Sequence, residues 1–461
     1  MDEAPEIATF RDAVDFIERG LNYERTPNWQ YRRKWLDLRR TRGLLAFLGD
    51  PHRAYRIVHV AGTKGKGTTA GALAHCLHRC GRRTGLLTSP HLITHRERIC
   101  VDGRMIGEEA FTDAVRRIRP HVEAERRAGG DDEHRAPTYF EMLTAMAFDH
   151  FARSGVGWAV VEVGLGGRLD STNVVEPRCC VITTIGFDHT DKLGDTPQAI
   201  AGEKGGILKP GVPVVIGRQA HTGALETLRR MADERDCERW EVGRDVVVAD
   251  AAPLAAPSNR PDAPLGWRFG VRTPLRRYDD LFTPLLGSHQ VDNLATALGA
   301  LDMLRRDDAL ELDPETVGRA LADFRVAGRI ELLQREPMLV LDVAHTAESV
   351  QALLDALDVH LPGRRLHVVF GCSADKNAEA MLGALGARCA SMTVTQARLS
   401  RARPAQEVAE IARRTQPRVH VVADAWQAAQ AALSQAGPQD VVCVTGSFFV
   451  AGEVRAAWLA R

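Results

Sequence analysis

The run RIVHVAGTKGKGTTAGALAHCLHRC, residues 56–80, constrains the fold of this chain more than any other segment. An apolar strand passes through a glycine-rich turn into a helical stretch, the plan of a parallel sheet covered by helices. The turn and helix start hold Gly62, Thr63, Lys64, Gly65, Lys66, Gly67, Thr68 and Thr69. Glycines let backbone N–H groups close around a phosphate, and the positive end of the helix adds to the attraction. Lys66 suits terminal phosphates, and Thr68 or Thr69 suits a divalent cation. The spacing departs from GxxxxGK[ST], because Gly67 separates the lysine from the hydroxyl.

The same alternation continues through TGLLT, GWAVVEV, CCVITTI and VPVVIG, which predicts an α/β domain with a parallel sheet and helices on both faces. Residues 237–287 break the rhythm with hairpins and loops rich in Pro and Ala, expected to attach to this first domain. A helix is predicted over His289–Arg305. A second α/β rhythm follows Arg329 in MLVLDVA, RLHVVFG, SMTVTQA, RVHVVA and VVCVTG, so the domain boundary is placed near 306–328. Ligands of such sheets bind at the carboxyl ends of the strands. Lys and Arg number 60, as do Asp and Glu, which leaves no excess positive field for nucleic acid. The acidic start MDEAPEIATF lacks a signal-peptide plan and no apolar run is long enough to span a bilayer, so the expected location is cytoplasmic, away from membranes. Nine cysteines without a CxxC pair argue against a zinc site or a disulfide framework.

Other residues with chemical potential lie just past strands. Glu162 ends GWAVVE, where a hard cation finds an oxygen ligand, and His189 in IGFDHT follows CCVITTI. Lys204 comes close behind in GEKGGILKPG. Singly, these read equally as a capped carboxylate, a satisfied histidine and a solvated lysine. In TYFEML, Thr138 and Glu141 form a helix capping box that explains itself structurally. The loop TSPHLITHRERI, with Ser89, suits substrate contact or a plain surface loop. GSHQVDNLATAL puts His289, Gln290 and Asn293 at a helix start, and LDVAHT puts Asp342 and His345 beyond a strand. Arg329 in AGRIELL suits a phosphoryl clamp or an interdomain salt bridge.

Taken in order, HVAGTKGKGT, TSPHL with ERI, TYFEMLTAMAF, VEVGLGGRLDSTNVV, IGFDHTDKLG, EKGGILKPGVPVV, GSHQVDNLATAL, AGRIELL, LDVAHT, DKNAEAML and VTGSFFVAGEVR resemble the folylpolyglutamate synthase and bifunctional dihydrofolate synthase family of the Mur ligase superfamily. The resemblance runs from about Phe16 to Val454. It implies a P-loop ATPase-like domain over 1–310, mostly parallel, and a smaller Rossmann-like α/β domain over 311–461. It also implies ATP-dependent ligation of L-glutamate to a folate through an acyl phosphate, and leaves open whether dihydropteroate, tetrahydrofolate or both accept the glutamate. By position, Gly62–Thr69 would bind ATP, with Gln290, Asn293, Arg329 and Asp342. Thr68, Ser89, Glu162 and His189 would hold Mg2+. Lys66, Lys204, Arg329 and His345 would be catalytic, with Lys204 carbamylated. The resemblance does not assign the glutamate site; residues around Ser400 and Ser447 in the second domain are candidates for it. A monomer with a mobile second domain is implied. Three departures stand out: Lys64 stands where most bacterial members have asparagine, DVAHT where DGAHN is common, and Ala327 where the family usually has proline. The alternatives are a sister amino-acid ligase of the superfamily and a non-catalytic nucleotide- or folate-binding homologue.

Overall fold

A computed structural model describes residues 6–24, 36–129, 135–257, 260, 262–308 and 310–461. The acidic start of the chain and parts of the Pro- and Ala-rich and RRDDAL stretches lie outside the described residues. The chain forms two compact units. One comprises Met1–Ala249, Val271–Asp279 and Asp292–Ala320, the other Asp250–Gly270, Asp280–Val291 and Leu321–Arg461.

The first unit is built on eight strands: β1 Arg56–Ala61, β2 Thr84–Leu87, β3 Ile99–Val101, β4 Arg104–Met105, β5 Trp158–Glu162, β6 Cys179–Ile182, β7 Val214–Ile216 and β8 Arg239–Glu241. Their order is β4-β3-β2-β5-β1-β6-β7-β8, with β3 antiparallel to both its neighbours and the other pairs parallel. Helices cover both faces, so strand residues are buried on both sides and read as unbroken apolar runs. Val214 and Ile216 join the core under helix Thr222–Asp233. Val215, between them, faces helix Ser288–Asp308, where a Cβ added at Gly299 would lie 3.3 Å from its Cγ1. Helix Tyr139–Arg153 lies so close to β2 that Phe151 fills the space beside Gly85.

The three strands β9 Val247–Leu254, β10 Gly266–Arg272 and β11 Arg277–Thr283 form their own small sheet. The sequence reading attaches this whole region to the first domain, whereas 250–270 and 280–291 group with the second unit. Their side chains and backbone explain this. Ala256, Leu265 and Leu286 enter the second unit's apolar core. Ala256 N–H donates to the His360 carbonyl at 2.9 Å, and Arg364 Nε donates to Ala256 O at 3.0 Å.

In the second unit β12 Glu331–Arg335, β13 Met338–Leu341, β14 Leu366–Phe370, β15 Ser391–Val394, β16 Val419–Val421 and β17 Val441–Thr445 follow the order β12-β13-β17-β14-β15-β16. The β12–β13 pair is antiparallel and the rest parallel. Alternate residues serve two cores: Met338, Val340, Val368 and Cys443 one, Leu339, Leu341, Val369 and Val444 the other. Helices therefore pack on both faces here as well.

Candidate active site

Four adjacent strands of the first unit, β2, β5, β1 and β6, deliver the predicted residues to one edge of the sheet. The glycine-rich turn leaves the end of β1 and enters helix Lys66–Arg79. Glu162 ends β5 opposite Val60, and β6 ends at Ile182 opposite Ala61. The turn needs its glycines. Gly62 has φ +148° and a Cβ there would fall 1.8 Å from Thr183 Oγ1; Gly65 has φ +86° and a Cβ would fall 2.2 Å from Asn293 Oδ1. Asn293 therefore sits directly on the phosphate loop. One turn earlier in the same helix, Gln290 is buried. Thr69 Oγ1 donates to Asn293 O at 3.4 Å, which leaves Thr68 as the hydroxyl for a cation. Lys66 Nζ is folded back to Thr63 O at 3.4 Å.

Glu162 is buried, and one of its oxygens accepts the N–H of Ser89 at 3.2 Å. A Cβ at Gly67 would lie 3.6 Å from Glu162 Oε2, so the carboxylate faces the start of the phosphate-loop helix. His189, with φ 50°, precedes helix Thr190–Leu193. Its ring is half exposed, yet the protein atoms crowding it, with Lys192, Lys66 and Lys204, outweigh Asp188 and push its pKa down to about 4. It is a neutral imidazole at pH 7, the form that ligates metals. Lys204, at the end of helix Pro197–Lys204, is 4% exposed. Burial first, then Lys66, lower its pKa to about 7 against Asp188 and Asp170.

What seats Lys204 is an interlock of two glycine-rich segments. A Cβ at Gly167 would lie 2.8 Å from the carbonyls of Glu203 and Lys204, and one at Gly206 2.4 Å from Arg168 Cβ. Arg168 N–H donates to Glu203 O at 2.9 Å, and its guanidinium pairs with the Glu203 carboxylate at 2.7 Å. Asn173 Nδ2 donates to Arg168 O at 3.0 Å and to Gly206 O at 3.1 Å. Asp170, fully enclosed, accepts from the N–H groups of Leu165 at 2.9 Å and Thr172 at 3.0 Å, and burial pushes its pKa up.

The second unit groups Arg329, Asp342 and His345. The Arg329 guanidinium lies 5.2 Å from the Phe448 ring centroid, and the His345 ring 5.7 Å from the same ring. Asp342 accepts from Ile330 N–H at 2.9 Å and Ala344 N–H at 2.7 Å; burial raises its pKa to about 6 despite Arg329. Ser447 caps helix Phe448–Leu459 through the Phe449 N–H, while Ser400 is exposed. Thr138 and Glu141 form the expected capping box, and Glu141 also takes a two-point ion pair from Arg40 at 2.8 and 2.9 Å.

Sequence reasoning assigned no role to Asp188 or Asp170, although both lie inside quoted motifs. Both follow the end of a sheet strand, Asp170 after β5 and Asp188 after β6, and that position was the available signal. Among the described residues no group of three or more His, Cys, Asp and Glu could hold a metal, and no helix is long and apolar enough to cross a membrane. One carboxylate, one neutral imidazole and two hydroxyls fit Mg2+ nonetheless, since that ion keeps waters and phosphate oxygens in its shell.

The chain matches two family profiles, Mur ligase middle domain over residues 60–301 and Mur ligase, glutamate ligase domain over 328–448. A dihydrofolate synthase/folylpolyglutamate synthase of Bacillus subtilis is 35% identical over 450 residues, 97% of this chain and 98% of its own. The structure of Mycobacterium tuberculosis folylpolyglutamate synthase complexed with ADP and AMPPCP superposes with TM-score 0.83 at 31% identity, covering 92% of this chain and 95% of that one. An FPGS complex with AMPPCP and folate gives TM-score 0.80 at 30% identity, covering 98% and 99%.

Proposed function

We propose, from the premise that this chain belongs to the folylpolyglutamate synthase and dihydrofolate synthase family of Mur ligases, that its phosphate loop and strand-end residues form the ligase active site. The enzyme ligates L-glutamate to a folate at the expense of ATP. The observation that carries the site reading is the delivery of Ser89, Glu162, Gly62–Thr69 and His189 by four neighbouring strands, with a low-pKa Lys204 beside them.

ATP phosphates would lie on the N–H groups at the start of helix Lys66–Arg79, with Lys66 neutralising the transferring group. Phosphoryl transfer to the substrate carboxylate makes an acyl phosphate, and the glutamate amine displaces phosphate from it to give the amide, ADP and phosphate. Such chemistry rests on positioning and charge neutralisation, so Lys66 and Arg329 matter more than any protein nucleophile. Bound Mg2+ would supply charge neutralisation at the phosphates, held by Thr68, Ser89, Glu162 and His189. Lys204, its pKa lowered to about 7, is suited to capture CO2 as a carbamate, which converts a cation that repels metal into an oxygen donor. Gln290, Asn293, Arg329 and Asp342 would contact the nucleotide and His345 would assist catalysis. The functional division would be an ATP-binding domain over 1–310, apart from 250–270 and 280–291, which group with the second unit, and a glutamate ligase domain over 311–461, in a cytoplasmic monomer.

ATP-dependent phosphate release with Mg2+ and glutamate, with dihydropteroate or tetrahydrofolate added in parallel and products identified by mass, tests the function. Product with both means a bifunctional synthase, and with tetrahydrofolate alone a dedicated polyglutamylating enzyme. Absence of product with either overturns the folate assignment. Lys66→Ala is expected to lose activity by orders of magnitude while folding normally, and full turnover would remove its role.

A further inference from the structure

The phosphate loop is joined to the segment after β6 by four bonds. Thr63 N–H and Lys64 N–H donate to Thr184 O at 2.9 and 3.2 Å, and Thr63 Oγ1 donates to Gly186 O at 3.2 Å. The fourth is ionic: Lys64 Nζ to Asp188 Oδ2 at 3.4 Å. The first three fix the backbone of the loop whatever the fourth does. Both ionic partners keep contact with solvent, at 43% exposure for Lys64 and 22% for Asp188. An anion arriving at the loop therefore has access to this pair. Asp188 also lies 3.8 Å from His189 Nε2, and its charge reaches Lys204. One carboxylate thus serves as counter-ion to a loop whose lysines are there to attract phosphate.

We propose that Asp188 is an internal counter-ion that competes with nucleotide phosphates for Lys64, holding nucleotide affinity below what the loop's own lysines would give. When phosphates enter, the Lys64 ammonium exchanges a carboxylate for a phosphate oxygen. As the diphosphate product leaves, the Lys64–Asp188 pair re-forms and offsets part of the cost of losing the anion. Asp188 is in this sense a positioning residue: it acts through Lys64. The pair is particular to a chain with lysine at this position, because an asparagine there has no charge to be claimed. This inference rests on the phosphate-loop reading of Gly62–Thr69 and deepens it.

The test is calorimetric binding of ADP without divalent metal to the full chain. Four proteins are compared: the unmodified enzyme, Asp188→Asn, Lys64→Gln and the double variant, with thermal melts confirming that each folds. Asp188→Asn is expected to bind ADP tighter by roughly fivefold, the factor that an ion pair of this exposure is worth. Lys64→Gln should bind more weakly, and Asp188→Asn should lose most of its effect in the Lys64→Gln background. A purely structural role for Asp188 would weaken binding, the opposite sign. Unchanged or weaker binding by a folded Asp188→Asn overturns the proposal. So does equal tightening in both backgrounds, which would mean plain repulsion of the anion without Lys64. Lys66→Ala in the same assay separates the two levels of the argument. If it binds ADP as well as the unmodified enzyme, the phosphate-loop reading itself fails; if it loses binding, the outcome for Asp188 stands alone.

Discussion

Lys204 offers the sharpest quantitative test, because its environment changes how much reactive amine is present at neutral pH. Only a neutral amine captures CO2. A lysine at the ordinary value of 10.5 is neutral in about 1 molecule in 3,000 at pH 7, whereas one with pKa about 7 is neutral in roughly half. Burial beside Lys66 therefore raises the reactive fraction by ~1,000-fold. The sign follows directly. Below pH 7 the neutral fraction falls about tenfold per unit, so carbamylation at fixed CO2 pressure should fade as the solution is acidified. The same depression means the buried ammonium costs stability, a cost that is relieved as pH rises from about 7 toward 10.5. Protein equilibrated with 13C-labelled CO2 should show a carbamate resonance that is absent from Lys204→Arg. CO2-stripped enzyme should lose activity and regain it with bicarbonate, and Lys204→Ala should be partly rescued by short carboxylates. A carbamate signal that survives in Lys204→Arg, or full activity of that variant, would refute the reasoning.

Gly65→Ala places a methyl group 2.2 Å from Asn293 Oδ1 at φ +86°; we expect a stability loss of about 1–3 kcal/mol by thermal melt and weakened ADP binding. Asp302 is fully buried and takes bonds from Tyr278 Oη at 2.7 Å and Thr273 Oγ1 at 2.6 Å, with Arg276 at 3.1 Å. Asp302→Ala leaves that arginine without its carboxylate and is expected to cost about 3–5 kcal/mol in urea denaturation. His59, enclosed in β1 with Nε2 2.9 Å from Thr172 Oγ1, has its pKa pushed down to about 3 by burial. Its unfolded form takes up a proton near pH 6.5 and the folded form does not, so stability is lost as pH falls through the window from 6.5 to about 3. His59→Gln should flatten that acid slope by up to ~1.4 kcal/mol per pH unit, measured by denaturant titration at several pH values.

Part of the candidate site was legible because Glu162 ends a strand and the phosphate loop and His189 follow strand ends, and strands buried on both faces announce themselves as apolar runs. The phosphate loop, Glu162 and His189 could be placed this way without knowing the strand order. What the sequence does not display is the pairing of distant segments. Asn293 fits into the space that Gly65 leaves open, although a long stretch of chain separates them, and no local pattern announces that fit. The same holds for 250–270, whose Pro- and Ala-rich composition hides Ala256 and Leu265, two residues that finish the core of the second unit. Asp188 was read past for a related reason: its meaning depends on Lys64 being across from it.

Of the motifs that looked most specific, GLGGRLDSTN and EKGGILKPG, only Lys204 is assigned chemistry, and the remaining residues serve to seat it. Each glycine that matters is there because another backbone passes too close for a side chain, Gly167 against the carbonyls of Glu203 and Lys204 and Gly206 against Arg168. Asn173 then fastens both strands of the interlock, and Lys209 Nζ fastens Asn173 in turn at 2.8 Å. A lysine on a free helix end would reach water and keep its proton. Held by this lattice at 4% exposure, Lys204 cannot retreat to solvent, and the cations of the phosphate loop meet it where it stands. The specificity of the two motifs is thus a mechanical requirement: they fix one amine where burial and neighbouring cations lower its pKa, which is what the carbamate proposal needs.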